Sequence, residues 1–423
     1  MIKRNKIKGI SAIIVMCIIG MSISGCTEKS NEGDASLNAL DSSNVTLITK
    51  VLPEGEIGYA MVCDFGEKVD GSNLKPEDFK VESTVNSYVK DRTITNVYTN
   101  DKIAVSEEAK EGQYVVIELN PEDANASTLT FNEDLFLNYV IGTNYTVTQN
   151  VDIKTKSGET FKGSKEKIEQ SNIVTPIVDD FKKLTYEDSE GNTMDYRFFE
   201  PKTEGDKEYP LVLFLHGSGE RGSDNEIQMR GNEGALVWAE PEQQAKNPAY
   251  ILAPQVRVSD ELTMYWTEEP NYSMMENLLK ETIKNYNIDK NRIYIVGMSN
   301  GGIGTWNVIE KNPDLFAAAV PICGIGDIDG LDLWAGYTPP TDYSAYKDIK
   351  DMPIWIFHAE DDPLVDVRYS RDAEKGIKEL GGTKVKYTEY PAGTVLPMGH
   401  SSWIPALQDK EMIDWVFSQS KAN

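Results

Sequence analysis

Between residues 180 and 420 the chain carries five near-continuous apolar runs, at 210–215, 250–253, 292–296, 317–322 and 353–357. A run without alternation suits a strand buried on both faces, and such strands belong to parallel sheets with helices on either side. Helix-like stretches at 272–286, 304–310, 369–380 and 404–417 separate and follow these runs. The repeated order of strand then helix predicts a doubly wound, mostly parallel α/β sheet. Two further runs, 184–188 and 194–199, flank Ser189-Glu190-Gly191-Asn192, a hairpin signal, so the sheet should open on an antiparallel pair. Residues 384–390 read as one more strand.

The texture before residue 180 is different. Short runs rich in Val, Ile, Thr and Tyr occur at 45–51, 58–65, 80–89, 93–98, 114–119, 128–131 and 145–153, divided by turn clusters such as Asp70-Gly71-Ser72-Asn73. About seven short strands in 130 residues predict a β-sandwich of immunoglobulin-like type over 44–175. That stretch contains no histidine and offers no catalytic constellation. The α/β domain should then occupy 180–421.

Lys3, Arg4, Lys6 and Lys8 precede an apolar run over 10–23, too short to span a bilayer comfortably and of the length of a signal-peptide core. The run ends Ile23-Ser24-Gly25-Cys26, which resembles the bacterial lipoprotein cleavage signal. The resemblance implies a signal over 1–25, lipidation of Cys26 and an extracytoplasmic, membrane-anchored protein, with the Ser/Asn/Gly/Asp-rich residues 26–43 as tether. Cys63 and Cys323, the other mature cysteines, fall in different domains, which argues against a disulfide framework. With only three histidines, no Cys/His spacing in the sequence suggests structural zinc. The segment from Gly326 through Asp327 and Asp329 to Asp332 lacks the spacing and closing Glu of a calcium loop, so no metal is expected.

The formal charge is −26, from 42 basic and 68 acidic residues. Because four of the basic residues and none of the acids lie in the first 25, the remainder is more acidic still. Such a surface repels phosphate backbones, which excludes nucleic acid as a partner and leaves the lipid as the membrane attachment.

The chemistry concentrates around Gly297-Met298-Ser299-Asn300-Gly301, where a buried strand passes into a helix. Gly-x-Ser-x-Gly in that setting is a nucleophile elbow: the turn is so tight that side chains flanking the serine must be absent. Ser299 is the candidate nucleophile. In this arrangement the acid and then the histidine follow the serine in the chain. His216 precedes it, and His358 stands before the best acids, so His400, in a loop between the last strand and the last helix, is the candidate base. Glu360, Asp361 and Asp362 compete for the acid just beyond the 353–357 strand. The loop after 210–215, His216-Gly217-Ser218-Gly219-Glu220-Arg221-Gly222, should supply one oxyanion donor, the Ser218 amide, beside the amide of Asn300. His216 should order that loop, and Glu220 and Arg221 should fix it as an ion pair. Trp266 and Trp334, in apparent loops past strand ends, are candidates to line a substrate pocket, with ordinary packing as the alternative.

Taken together, these segments resemble bacterial carboxylesterases of the α/β-hydrolase superfamily. The likeness is greatest to those with an immunoglobulin-like N-terminal domain, related to feruloyl esterases, polyhydroxybutyrate depolymerases and prolyl-oligopeptidase-type hydrolases. His358-Ala359-Glu360-Asp361-Asp362-Pro363-Leu364-Val365 is similar to the pattern His-Gly-x-x-Asp-x-x-Val, with Ala359 in place of the glycine. That selects Asp362 as the acid, with Asp361 as the alternative. The resemblance implies ester hydrolysis through an acyl-enzyme without a cofactor. A prolyl-oligopeptidase-type peptidase would need a β-propeller that about 130 residues cannot hold. An inert surface-binding module would be expected to lack a triad member, and none is lacking.

Overall fold

The computed structural model describes residues 39–422 except 142, 203, 259–264 and 328–335. The apolar run at 10–23, the lipidation candidate Cys26 and the pocket candidate Trp334 lie outside the described residues. None of the described helices is long and apolar enough to cross a membrane.

The N-terminal domain is a sandwich of two sheets. One runs in the order Asn172–Val174, Val45–Leu52, Gly55–Asp64, Tyr114–Leu119, Ile94–Asn100, and the other Ile168–Glu169, Asn144–Gln149, Phe79–Val85, Tyr88–Arg92. Leu47, Met61, Val81, Ile117 and Val147, all fully buried, fill the space between them. The run expected at 80–89 is two strands, because Asn86 and Ser87 both take left-handed backbone (φ 48° and 69°) and turn the chain in a two-residue hairpin. A second hairpin, Leu129–Asn132 paired with Leu137–Val140, stands apart from both sheets.

The α/β domain holds an eight-stranded sheet. Its strands are β1 (Lys182–Glu187), β2 (Thr193–Phe199), β3 (Tyr209–Leu215), β4 (Tyr250–Pro254), β5 (Ile288–Met298), β6 (Ala318–Ile322), β7 (Ile354–Ala359) and β8 (Val385–Tyr390). Their spatial order is β1-β2-β4-β3-β5-β6-β7-β8, with β1 and β2 antiparallel to their neighbours and the rest parallel. The continuous apolar runs follow from burial on both faces. In β5, Ile293 and Ile295 enter one core layer and Tyr294 and Val296 the other; in β3, Leu211, Leu213 and Leu215 face the first, and Val212 and Phe214 the second. The longer helices are α1 (Asn271–Asn285), α2 (Asn300–Lys311), α3 (Arg368–Glu379) and α4 (Lys410–Ser418). The single C-terminal helix expected at 404–417 is broken. A short turn of helix, Trp403–Leu407, precedes α4, and Asp409 caps α4 by accepting from the amides of Glu411 and Met412.

From β3 the chain winds one way to β4, then returns to place β5 on the other side of β3. This reversal opens a crevice at the carboxyl ends of β3 and β5, where ligands bind in sheets of this kind. Sandwich and sheet belong to one unit, Asn38–Asn423, and Val51 of the sandwich packs into a core layer of the sheet. The buried Glu56 carboxylate accepts two hydrogen bonds from Arg230, both 2.7 Å, across the domain boundary.

Candidate active site

Ser299 sits between β5 and α2 with φ 52° and ψ −119°, a conformation that costs a non-glycine residue strain and persists only where the surroundings enforce it. Both flanking glycines are there for space. A Cβ on Gly297 would stand 2.1 Å from the Gly301 carbonyl oxygen, and one on Gly301 would stand 1.9 Å from that of Leu215. The end of β3 and the start of α2 therefore touch backbone to backbone, and Ser299 is lifted into the crevice half-buried.

Two side chains from two further loops complete the site around it. His400, in the short turn Gly399–Ser401 beyond β8, brings Nε2 to 2.9 Å from Ser299 Oγ and Nδ1 to 2.7 Å from Asp362 Oδ2. Burial of Asp362 opposes its charge, but hydrogen bonds from His358 and His400 and from the Val365 amide outweigh it and hold the carboxyl well below the usual carboxylate range. A carboxylate only accepts, so the His400 proton sits on Nδ1 and leaves Nε2 to accept from the serine hydroxyl. The neighbouring carboxylates turn elsewhere: Asp361 accepts from the Gly393 amide at 2.8 Å, and Glu360 from that of Ala392 at 3.3 Å.

His358, set aside as a base because of its place in the chain, lies beneath the acid. Its Nε2 is 3.1 Å from Asp362 Oδ2 and 3.0 Å from the Val365 carbonyl, two acceptors, so Nε2 carries the proton and Nδ1, 2.8 Å from Ser370 Oγ, accepts. His358 thus positions the carboxylate that positions His400. The signal was in the sequence, in the histidine that begins the His-x-x-x-Asp pattern, but its task was not read from it.

Ser218 opens the turn Ser218–Glu220 after β3, and Asn300 opens α2, whose N-terminal dipole favours negative charge. The loop between them is held from several sides. His216 donates from Nδ1 to the Gly217 carbonyl at 2.6 Å and accepts at Nε2 from the Val256 amide at 3.0 Å; burial pushes its pKa down to about 4, so it stays neutral in these roles. Glu220 and Arg221 do not pair with each other, contrary to expectation. Arg221 donates from Nε to the Ser218 carbonyl at 2.7 Å and from Nη2 to the Leu135 and Phe136 carbonyls of the sandwich hairpin at 3.1 and 3.3 Å, while Glu220 accepts from Asn138 of that hairpin at 3.2 Å. Each side chain thus takes partners from the hairpin of the other domain, contacts that lie more than 80 residues away in the chain.

Trp266 does not line a pocket. It is fully buried, donates its indole N–H to the His216 carbonyl at 2.9 Å and meets the His216 ring edge-on, so it props the loop from beneath. Cys63 and Cys323 are both free and buried. Cys323, at the end of β6, stands behind the triad with its Sγ within 4.8 Å of ligating atoms of Asp362 and His400, a proximity the sequence spacing did not reveal. Burial pushes its thiol far up, and the two other groups are engaged with each other, so the trio is not poised to receive a metal ion.

Known proteins share the domain organisation. Residues 44–162 match the immunoglobulin-like N-terminal domain of esterases, and residues 271–367 match the prolyl oligopeptidase family. A crystal structure of a thermostable esterase superposes with a TM-score of 0.80 at 41% identity, over 89% of this chain and 100% of that one. A ferulic acid esterase gives a TM-score of 0.41 at 18% identity, over 56% of this chain and 98% of that one. An uncharacterized secreted protein of Arthroderma benhamiae is 28% identical over 134 residues, which are 28% of this chain and 14% of that protein. With the whole of the thermostable esterase matched and the sandwich in front of the α/β sheet, the chain belongs to the serine-hydrolase esterases that carry an immunoglobulin-like N-terminal domain.

Proposed function

We propose that the protein is a carboxylesterase that works through an acyl-enzyme on Ser299, with His400 as general base and acid and Asp362 as its orienting carboxylate. The observation that carries this is the unbroken chain Ser299 Oγ, His400, Asp362 at 2.9 and 2.7 Å, with the proton placed on Nδ1. Ser299 Oγ attacks the ester carbonyl carbon while its proton passes to His400 Nε2. The oxyanion that forms is met by the Ser218 amide, in the turn after β3, and by the Asn300 amide at the head of α2. His400 then gives the proton to the departing alcohol, and a water repeats the sequence to release the acid. None of these steps calls for a cofactor. Ser299→Ala should remove activity on p-nitrophenyl acetate by roughly 10⁴-fold or more while the circular dichroism spectrum stays unchanged. A folded variant keeping a tenth of the rate would remove Ser299 from this role.

The match of residues 271–367 to the prolyl oligopeptidase family favours a second reading, cleavage of peptide bonds after proline. The sandwich stands where such peptidases carry a propeller, which argues for esters. Turnover of prolyl-peptide amides faster than that of short aryl esters would reverse the order.

The ending Ile23-Ser24-Gly25-Cys26 supports a lipid anchor on Cys26 and an extracytoplasmic site of action, with no part for nucleic acid in so acidic a protein. Cys26→Ala should move the protein from the membrane to the soluble or secreted fraction. Unchanged fractionation, with no lipid mass on the N-terminus, would sink the anchor.

A further inference from the structure

The hairpin Leu129–Asn132/Leu137–Val140 belongs to the sandwich in sequence, yet it lies on the oxyanion loop of the other domain. The approach is close. A Cβ on Gly219 would stand 2.8 Å from Asn138 Nδ2 and 3.5 Å from the Phe131 ring, so Gly219, the neighbour of Ser218, is small where the hairpin presses down. Phe131 meets Phe136 edge to face, with centroids 5.7 Å apart, and the two rings remain 46% and 41% exposed. Leu135, beside Phe136 in the turn of the hairpin, is 55% exposed as well. Large side chains left this open beside a reacting centre mark a surface with a partner to cover it.

The chemistry says which part of an ester that partner is. The alcohol oxygen must come within reach of His400 Nε2 to receive its proton, so the leaving group lies on the His400 side. The carbonyl oxygen points at the Ser218 and Asn300 amides. The acyl substituent is what remains for the face beyond the oxyanion loop, and the hairpin stands there, tied to that loop by Asn138 and Arg221.

We propose that Phe131 and Phe136, supplied by the immunoglobulin-like domain, form the wall that binds an apolar acyl chain and sets acyl-length preference. The proposal rests on the esterase reading and adds the substrate class, esters of medium-chain or aryl carboxylic acids. An apolar wall contributes through each buried methylene, so removing it acts on long acyl groups and spares the shortest.

The test is the ratio of kcat/KM for p-nitrophenyl octanoate to that for p-nitrophenyl acetate, measured on the full chain. Phe131→Ala/Phe136→Ala should lower that ratio about tenfold, and Phe131→Leu/Phe136→Leu, which keeps the surface apolar, should hold it within about threefold of wild type. A ratio unchanged in the alanine variant overturns the wall. So does an alanine variant that changes only its mass in size-exclusion chromatography, which would make the patch a contact between copies. Wild-type protein inert on both esters would sink the esterase reading and this one with it, whereas an active wild type with an unmoved ratio would sink this one alone.

Discussion

Glu220 is fully buried in the oxyanion loop, and burial pushes its carboxyl up to about 7. An unfolded glutamate releases its proton near 4.5, so between that pH and about 7 the folded protein holds one proton more than the unfolded chain. Stability from this group is complete below the unfolded value and falls as the pH rises through the window, by about 3 kcal/mol in all. Glu220→Gln keeps an acceptor for Asn138 and removes the charge. Its unfolding free energy should exceed that of wild type at pH 8, and the gain should vanish toward pH 4.5; calorimetry that shows the same gain at both ends would remove Glu220 as the cause. Asp362 has the opposite sign, since its lowered pKa contributes stability above the usual carboxylate value that is lost as the pH falls. Its catalytic weight is separable from that of its neighbour. Asp362→Asn takes the partner from His400 Nδ1 and should cost roughly 10⁴ in kcat, while Asp361→Asn loosens one loop contact to Gly393. The two variants should differ at least 100-fold on one ester. If Asp361→Asn were the more damaging of two folded proteins, the acid would be misassigned by one residue.

At the scale of elements, the oxyanion loop is an assembled object whose parts come from both domains. Arg221 spans it, with one guanidinium nitrogen on the Ser218 carbonyl and another on two hairpin carbonyls, a fork that the single ammonium of lysine does not reproduce. The Ser218 amide matters most once the oxyanion has formed, so loosening it should act on kcat more than on KM. Arg221→Lys should therefore lower kcat about tenfold or more with KM nearly constant; a change confined to KM would make Arg221 a substrate contact instead of a positioning residue. This assembly also marks the limit of what the chain discloses as text. The elbow is legible because its steric demand is local, two glycines within two residues of Ser299 at the end of an apolar run. The parallel sheet is legible because burial on both faces leaves continuous runs. Arg221 meeting residues 135 and 136 has no local pattern, and adjacency in sequence pointed Glu220 and Arg221 at each other when geometry sends them apart. Sequence leaves Trp266 open for a related reason: a tryptophan past a strand end looks the same in sequence whether it faces a pocket or, as here, the underside of the loop.

At the scale of the molecule, the two domains are held by a shared apolar layer, by the hydrogen bonds of the hairpin to the oxyanion loop and by a buried ion pair. Glu56, its side chain 1% exposed, receives both nitrogens of Arg230 and the Thr128 hydroxyl at 2.8 Å. Arg230 ends the short helix that follows the oxyanion loop, so the pair anchors the sandwich beside the part of the α/β domain that the hairpin also grips. Removing one partner leaves a charge buried with nothing to offset it, which costs about 3–5 kcal/mol, whereas replacing both by apolar groups of similar size costs far less. Glu56→Gln should thus lower the unfolding free energy by about 3–5 kcal/mol, and Arg230→Met should do the same from the other side. Because Val51 of the sandwich lies within a core layer of the sheet, both domains should lose stability together, in one transition. The double variant Glu56→Leu/Arg230→Met should be more stable than either single variant, since neither side then retains a stranded charge. Denaturant unfolding of the four proteins decides it. Additive losses would mean that Glu56 and Arg230 stabilise the protein separately and that this pair does not join the domains.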